Sequence, residues 1–233
     1  MTADVSWMSF CKPKRMDEPL QIRPDRIPPT VVRRLPKYLA HAQRLRQMGV
    51  EWVSSSEMGE ALGLTSSTVR QDLSHIDFSG ISKRGYSTAG MEASLAQTLG
   101  ADQEICCVLV GAGNLGRALA QHEEFARQGF RICGVFDASP AVVGKKVGKL
   151  VVQSMDELPG TVCGQDVDIG IVTVPHAAAQ RVADQLVLSG VRGLLNLTPA
   201  HLIVPRKIPV VDARVVASLR ELAYAVKINE PRY

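Results

Sequence analysis

The sequence predicts an α/β chain with two domains, a small helical domain followed by a parallel-sheet domain. Its 233 residues suffice for two domains of the usual ~100–200 residues each. Residues 30–90 contain closely spaced helix-start signals and a glycine-containing hairpin, whereas residues 91–211 alternate apolar strands with helices. The net excess of four basic side chains falls entirely within residues 1–90. This mild positive bias favours an anionic partner for the N-terminal domain.

The N-terminal part of the chain is predicted to be a flexible extension that leads into a helix. Residues 1–29 contain five of the 13 prolines and several charges, a composition typical of poorly ordered segments. Apolar residues then recur at helical spacing up to Gly49, and Thr30 is the predicted N-cap of this helix. Pro36 is tolerable so close to a helix start, where we expect it to bend the chain.

Two further helix starts and a hairpin follow this helix. Ser54 and Glu57 predict a capping box, and Thr65 opens a third helix that is mostly polar. Residues 79–87, with glycines and two adjacent cations, predict a short hairpin, or wing. A helix, a short helix, a tight turn and a third helix form the layout of a helix-turn-helix. Residues 30–90 are therefore predicted to be a winged helix-turn-helix domain.

Polar side chains on the third helix and in the hairpin are candidates for contacts with double-stranded DNA. Hydroxyl side chains at a helix N-terminus, with Arg and Gln beyond them, suit phosphate and base-edge contacts in a major groove. The predicted contact residues are Ser66, Ser67, Thr68, Arg70, Gln71, Lys83, Arg84 and Tyr86. A solvated helix face and an ordinary charged turn would show the same composition, so both interpretations stay open on the residues alone.

A glycine-rich turn organises the second domain. Residues 105–120 predict a buried strand, a turn and a helix start, with glycines at 111, 113 and 116. In a dinucleotide site these glycines serve a tight turn, a close approach of the pyrophosphate and close helix–strand packing, and the helix N-terminus attracts the phosphates. A second apolar run ends in Asp137, which is placed to bind ribose hydroxyls. The alternative is a plain strand–helix turn without a ligand.

Strands and helices continue to alternate up to Val211, which predicts a Rossmann-type parallel sheet with helices on both faces. Ligands of such sheets bind at the carboxyl ends of the strands. Asp137 would repel a 2′-phosphate, so the predicted cofactor is NAD(H) and not NADP(H). The predicted cofactor-binding residues are Gly111, Ala112, Gly113, Asn114, Leu115, Gly116, Asp137, Thr173, Val174, Pro175, His176, Asn196 and Pro199.

Several features argue against an enzyme. Only 22 residues follow Val211, too few for a substrate domain, and His176 fits a pocket wall better than a general acid. No cysteine or histidine spacing resembles a metal site. We therefore predict no catalytic residues and no metal. The alternative is a small NAD-dependent oxidoreductase with a helical N-terminal arm. We find no transmembrane run or secretory signal, and the odd cysteine number suits free thiols, so the predicted location is cytoplasmic.

The last segment, residues 212–233, predicts a helix with a broad apolar stripe. The stripe consists of Val215, Val216, Leu219, Leu222, Ala223 and Val226. Since the sheet already has covering helices, such a stripe favours a partner subunit. Docking on the chain's own domain is the alternative.

These motifs together carry a resemblance to a known family. They are ThrValValArgArgLeuProLysTyrLeu, ValSerSerSerGluMetGlyGluAlaLeu, ThrValArgGlnAspLeuSer, LysArgGlyTyr, GlyAlaGlyAsnLeuGlyArgAlaLeu, ValPheAspAlaSerPro, ThrValProHisAlaAlaAlaGln and LeuAsnLeuThrPro. In order, from about Ile27 to Lys227, they resemble the redox-sensing transcriptional repressors of the Rex family. The resemblance implies a homodimer whose winged helices bind palindromic operator DNA. It also implies sensing of the NADH/NAD⁺ ratio, with NADH releasing the DNA, and a C-terminal helix swapped between protomers.

The resemblance further implies three switch residues, Arg34, His122 and Asp212. The family pairs an Arg and an Asp at positions matching Arg34 and Asp212, in one state only. His122 stands where the family commonly has a Tyr on the first Rossmann helix, linked to redox sensing. The recognition helix also departs from the family, since Gln71 replaces a second Arg.

Overall fold

The structure is a computed structural model that describes residues 27–76 and 78–229. The chain divides into two compact units with a boundary between Gln103 and Glu104. Most of the predicted N-terminal extension therefore lies outside the described residues. Among the described residues, every helix is too short or too polar to span a lipid bilayer.

The first unit is mainly helical. Its elements in chain order are α1 (Pro29–Val32), α2 (Leu35–Gln47), β1 (Trp52–Val53), α3 (Ser55–Leu62), α4 (Ser66–Ser74), β2 (Tyr86–Ser87) and α5 (Thr88–Leu99). Its core contains Leu35, Tyr38, Met58, Leu73, Met91 and Leu95, all fully buried.

The predicted boundary at residue 90 was wrong because α5 belongs to the helical unit. Met91 and Leu95 on α5 are fully buried in the same core as Leu35 and Tyr38 of α2. Ser87 caps the N-terminus of α5 by accepting a hydrogen bond from Gly90 N at 3.3 Å. Helix α5 therefore packs within the first unit.

The prediction of Thr30 as an N-cap was also wrong. Helix α1 begins at Pro29 and ends after one turn, and α2 begins at Leu35 with Pro36 in its first turn. Proline lacks the N–H for an i→i−4 bond, and its ring clashes with the carbonyl four residues earlier. Pro36 therefore separates the predicted single helix into two.

The helix-turn-helix and its wing form as predicted. Glu57 N donates to Ser54 Oγ at 3.1 Å and Ser54 N donates to Glu57 Oε2 at 2.7 Å, which completes the capping box of α3. These hydrogen bonds from Ser54 hold the pKa of Glu57 below its usual value. Thr65 caps α4. Strands β1 and β2 pair antiparallel and, with a bridge between Ile81 and Gly85, build the wing.

The second unit alternates strands and helices. Its elements are β3 (Ile105–Val110), α6 (Asn114–Ala120), α7 (Glu123–Arg127), β4 (Phe130–Asp137), β5 (Lys146–Val147), β6 (Leu150–Ser154), α8 (Leu158–Gly164), β7 (Ile169–Val172), α9 (His176–Ser189), β8 (Gly193–Asn196), β9 (Val210–Asp212) and α10 (Val215–Asn229), with a 3₁₀ turn at Met155–Glu157.

Within the described residues, the sheet has the strand order β5-β6-β4-β3-β7-β8-β9. All pairs are parallel except β5 with β6, so the six parallel strands follow the Rossmann order 3-2-1-4-5-6. The order reverses between β3 and β7. That reversal opens a crevice at the carboxyl ends of these two strands, where Rossmann-type sheets bind ligands.

Strand β3 shows why the sheet needs helices on both faces. Cys106, Val108 and Val110 join the core that includes α8 and α9, whereas Cys107 and Leu109 join the core on the α6 side. Successive side chains of a strand point to opposite faces, and here both faces are apolar. The two cores fix β3 at the centre of the sheet and so fix the position of the glycine turn that follows it.

Helix α10 is exposed along its described length. Its large apolar side chains keep more than half of their surface accessible, as seen for Val215, Val216, Leu219, Leu222, Tyr224, Val226 and Ile228. The alternative that this helix docks on its own domain is therefore wrong for this structure.

Candidate functional site

A cleft of about 630 Å³ opens at the carboxyl ends of β3 and β7. Its size is in the usual range for small-molecule and cofactor sites. Ten of the 13 predicted cofactor residues line it, namely Gly111, Ala112, Gly113, Asn114, Leu115, Asp137, Thr173, Val174, Pro175 and Pro199.

The glycine turn has the backbone geometry that the sequence predicts. Gly111 has a φ of 108°, and a Cβ there would lie 2.7 Å from the Thr173 carbonyl oxygen. Gly116 is buried, and a Cβ on it would collide with the Gly111 carbonyl oxygen. Gly113 is exposed and has open space around its Cα. No side chain caps α6, so its first amides stay available for a phosphate.

Asp137 ends β4 and faces the glycine turn. Its Oδ2 accepts a hydrogen bond from Ala112 N and its Oδ1 accepts one from Ser139 N, both at 2.8 Å. Each carboxylate oxygen has a second lone-pair direction, so both can still accept from ribose hydroxyls. Asp137 thus combines a structural bond to the glycine turn with a predicted ligand contact.

Thr173 joins the ends of the two central strands. Its hydroxyl lies 2.9 Å from the Val110 carbonyl oxygen and 2.8 Å from that of Gly111. The Thr173 hydroxyl therefore holds the start of the glycine turn, and Thr173 also lines the cleft. Beyond it, Val174, Pro175, Leu197 and Pro199 add apolar lining to the cleft.

Three of the predicted cofactor residues do not line the cleft: the buried Gly116, His176 and Asn196. His176 is exposed at the start of α9, where the chain turns away, and Ala178 lines the cleft instead. Asn196 is fully buried and saturated by hydrogen bonds. Its amide donates to Ala200 O and Asp212 Oδ1, and its Oδ1 accepts from the N and Oγ1 of Thr198. Asn196 shapes the loop and has no capacity left for a ligand.

The prediction missed cleft residues that only the fold brings together. These are Val110, Arg117, Ala138, Ser139, Val142, Met155, Ala178, Val182, Leu197 and Thr198. Arg117 had a sequence signal, because it directly follows the third glycine and lies within the first turn of α6. The apolar residues had none, since apolar side chains at strand ends are common in any core.

On the helix-turn-helix unit, the predicted polar residues of α4 are arranged along its exposed surface. Ser67, Arg70 and Gln71 are exposed. Arg70 Nη1 donates to Ser55 Oγ at 2.9 Å, which ties its side chain to the start of α3. The hydroxyls of Ser67 and Thr68 each lie 2.8 Å from Thr65 Oγ1, so they take part in capping α4. Ser66 and Thr68 are half-buried.

In the wing, the structure separates the three predicted contacts. Lys83 and Arg84 are exposed on the turn. Tyr86 is a core residue with only 7% of its surface exposed, packed against Phe78 with ring centroids 5.9 Å apart. Burial raises the pKa of Tyr86, and its place in the hydrophobic core removes it from the predicted DNA contacts.

A buried carboxylate on α4 pairs with the first of the predicted switch residues. Asp72 is 1% exposed and accepts from Arg34 Nε at 2.6 Å, Arg34 Nη2 at 2.7 Å and the Tyr38 hydroxyl at 2.7 Å. Burial opposes ionisation of Asp72, but these bonds outweigh burial and lower its pKa. Burial and the bond to Asp72 raise the pKa of Tyr38.

The other two switch residues have partners within the second unit. Asp212 accepts from Asn196 Nδ2 at 2.7 Å and from Arg214 Nη2 at 3.2 Å. His122 lies beyond the end of α6, not on it, and its Nδ1 accepts from Glu124 N as the N-cap of α7. The placement of His122 on the first Rossmann helix was therefore wrong. The switch roles of these residues stay predictions.

Comparison with known proteins agrees with the division of the chain into a helical unit and a parallel-sheet unit. Residues 26–74 match the family model described as "Putative DNA-binding protein N-terminus", and residues 102–200 match the one described as "CoA binding domain". A redox-sensing transcriptional repressor Rex from Caldicellulosiruptor saccharolyticus is 39% identical over 200 residues, covering 86% of this chain and 90% of the relative. The chain belongs to the Rex family. The predicted resemblance is therefore confirmed.

Other Rex proteins extend this agreement from sequence to structure. A Rex repressor of Clostridium botulinum is 37% identical over 194 residues, covering 83% of this chain and 92% of the relative. The crystal structure of RSP, a Rex-family repressor, matches with a TM-score of 0.80 at 31% identity, covering 88% of this chain and 95% of that chain. The crystal structure of RSP in complex with β-NAD⁺ and operator DNA matches with a TM-score of 0.82 at 32% identity, covering 88% of this chain and 94% of that chain. The predicted winged-helix and Rossmann-type fold is confirmed.

Proposed function

We propose that this chain is a transcriptional repressor that binds palindromic operator DNA and senses the NADH/NAD⁺ ratio. NADH binding releases the protein from the DNA. One observation carries the proposal: a single chain joins a recognition helix with exposed Arg70 and Gln71 to a dinucleotide cleft with an uncapped helix α6. The names of solved Rex-family relatives, which include complexes with β-NADH and with β-NAD⁺ and operator DNA, support it.

The cleft residues fit NAD(H). The free amides at the start of α6 would hold the pyrophosphate, with Gly113 leaving space for its approach. Asp137 would accept hydrogen bonds from the ribose hydroxyls and would repel a 2′-phosphate. The exposed Arg117 side chain lines the same cleft and would add a positive charge near the phosphates.

The apolar wall of the cleft would distinguish the two cofactor forms. Val174, Pro175 and Leu197 follow strand ends and, with Val182 of α9, give this part of the cleft an apolar lining. NAD⁺ carries a cationic nicotinamide ring and NADH a neutral one. Transfer of an unpaired charge to an apolar site costs free energy, so we expect this wall to favour NADH.

Contacts with DNA divide into two kinds. Arg70 and Gln71 are placed to read base edges in a major groove, since both are exposed on α4. Lys83 and Arg84 on the wing would contact phosphates, and Ser66, Ser67 and Thr68 would contribute hydroxyls at the helix start.

We further propose a homodimer. A row of exposed apolar side chains on α10 needs a partner surface in water, and a second copy supplies one without any other protein. A two-fold dimer binds two half-sites, which accounts for a palindromic operator. Whether α10 is swapped between protomers stays a prediction.

Since the relatives are repressors, we infer that the chain regulates transcription in the cytoplasm and is not an enzyme. The remaining candidate is a small NAD-dependent oxidoreductase. It would require steady consumption of NADH with a carbonyl substrate, which absorbance at 340 nm would detect.

The test uses the full chain and a labelled DNA duplex selected by the protein from a random library. Fluorescence anisotropy should show binding to this duplex at low NADH and release when NADH is added, with NAD⁺ causing no release. A random duplex of equal length serves as the control. Failure to select any sequence, or indifference of the complex to NADH, would overturn the proposal.

A further inference from the structure

Trp52 stands out because its large apolar ring is not used in the core. It begins β1 and is only half-buried. Among the described residues, other half-buried apolar side chains pack against the core of the first unit, but Trp52 is not one of them. The ring instead lies under Arg84, whose guanidinium carbon is 4.1 Å from the ring centroid. The two residues come from different parts of the wing fold, so this contact depends on the geometry of the hairpin.

The backbone of the wing fixes Arg84 above this ring. Ile81 N donates to Gly85 O at 2.7 Å, and both Gly85 N and Arg84 N donate back to Ile81 O, at 2.9 and 3.0 Å. Gly85 has a φ of 90°, and a Cβ there would lie 2.5 Å from the Val53 carbonyl oxygen. The turn therefore sits directly against β1, and Arg84 has little freedom to leave the neighbourhood of Trp52.

From this geometry we propose that Trp52 is a positioning residue that holds the Arg84 guanidinium ready for a DNA phosphate. A guanidinium stacked on an aromatic face keeps its in-plane N–H groups at the edge, where they can bind a phosphate in bidentate fashion. The ring thus restricts the side chain before DNA arrives and lowers the entropy lost on binding. Lys83, the neighbouring cation, has no such platform among the described residues. The inference rests on the proposed DNA-binding function.

The test is a double-mutant cycle in the full chain, measured as operator affinity by anisotropy. Trp52→Ala should weaken operator binding by about two- to fivefold, the range of an exposed cation–π contact. In an Arg84→Ala background the same change should have almost no effect, because the side chain it positions is gone. In a Lys83→Ala background it should keep its full effect. Trp52→Phe, which preserves an aromatic face, should restore most of the affinity.

A second readout needs no DNA. The chain has two tryptophans, so Trp7→Phe leaves Trp52 as the only indole emitter. Arg84→Ala should shift the emission of Trp52 to longer wavelength because water replaces the guanidinium on the ring, whereas Lys83→Ala should leave the emission unchanged.

The outcomes separate this inference from the proposed function. If Trp52→Ala loses the same factor with and without Arg84, or loses nothing in the native chain, the positioning role is wrong although DNA binding stands. If the native chain binds no DNA while the emission shift occurs, the contact exists but its proposed use is overturned. Unchanged NADH affinity in every variant controls for the fold of the second unit.

Discussion

At the residue scale, Asp137 combines two tasks in one carboxylate. It fastens the glycine turn through Ala112 N and it faces the cleft that would hold a ribose. Loss of the side chain therefore removes both a ligand contact and the bond that keeps the turn in place.

Asp137→Ala should weaken NADH binding by ~1–3 kcal/mol, the usual magnitude for a lost hydrogen bond that involves a charged group. Isothermal titration calorimetry or NADH fluorescence would measure it, with Asp102→Ala, an exposed carboxylate near the domain boundary, as the control. The native chain should also bind NADH more tightly than NADPH. Preference for NADPH would contradict the assigned role.

Replacement of Arg70 and replacement of Lys83 should have different effects on DNA binding. Arg70→Ala should reduce discrimination at one operator position by ~1–3 kcal/mol, because a base-reading contact is lost. Lys83→Ala should weaken operator and random DNA alike and reduce the salt slope by about one, because a phosphate contact is lost. Titrations at two salt concentrations test both. Equal losses of Arg70→Ala on operator and random DNA would exclude base reading.

At the element scale, the buried Asp72 joins α4 to α2. Three charge-assisted hydrogen bonds from Arg34 and Tyr38 converge on it, next to the exposed Arg70 and Gln71. The face of α4 that we propose to read bases is thus held in place by an ion pair on the buried face of the same helix. Removal of either partner strands a buried polar group, which makes the junction sensitive to mutation.

Asp72→Asn should reduce the free energy of unfolding by ~2–4 kcal/mol at pH 7, at the lower end for a buried pair because Arg34 is partly exposed. A carboxyl whose pKa is lower in the folded chain stabilises the fold above its unfolded pKa of about 3.9, and that stabilisation is lost as the pH falls through the folded pKa. The gap between native chain and variant should therefore shrink below about pH 4. Urea unfolding at pH 7 and pH 3 would show this, with Asp102→Asn as the neutral control.

At the scale of the whole molecule, the proposed homodimer would depend on α10. Leu219 and Leu222 are 58% and 60% exposed on one side of the helix, whereas Glu221 points to the other. Leu219→Glu should convert the dimer to a monomer and weaken operator binding strongly, because two half-sites no longer bind together. Sedimentation velocity would measure the mass. Glu221→Ala should stay dimeric, and a native chain that sediments as a monomer would refute the proposed assembly.

Much of the architecture could be predicted from local patterns, because the physics behind these patterns is itself local. Ser54 with Glu57 makes a capping box in almost any context. Gly111 is required locally by its φ of 108°, and Gly116 by the Gly111 carbonyl oxygen five residues earlier. The alternation of strands and helices predicted a parallel sheet. A parallel sheet in turn predicts a cleft at the carboxyl ends of its strands. The fold class, the glycine turn and the helix-turn-helix could therefore be predicted from local sequence patterns alone.

Which side chains are free to bind a ligand depends on long-range packing. Asn196 and Tyr86 are residue types that often bind ligands or DNA. In the fold, however, hydrogen-bond partners surround Asn196, and Tyr86 is buried in a hydrophobic core. Trp52 is a residue type typical of cores, yet its ring lies under the Arg84 guanidinium. Burial and pairing depend on contacts between residues distant in the chain, which local spacing does not encode. For that reason the sequence located the two sites, and only the three-dimensional packing selected the residues within them.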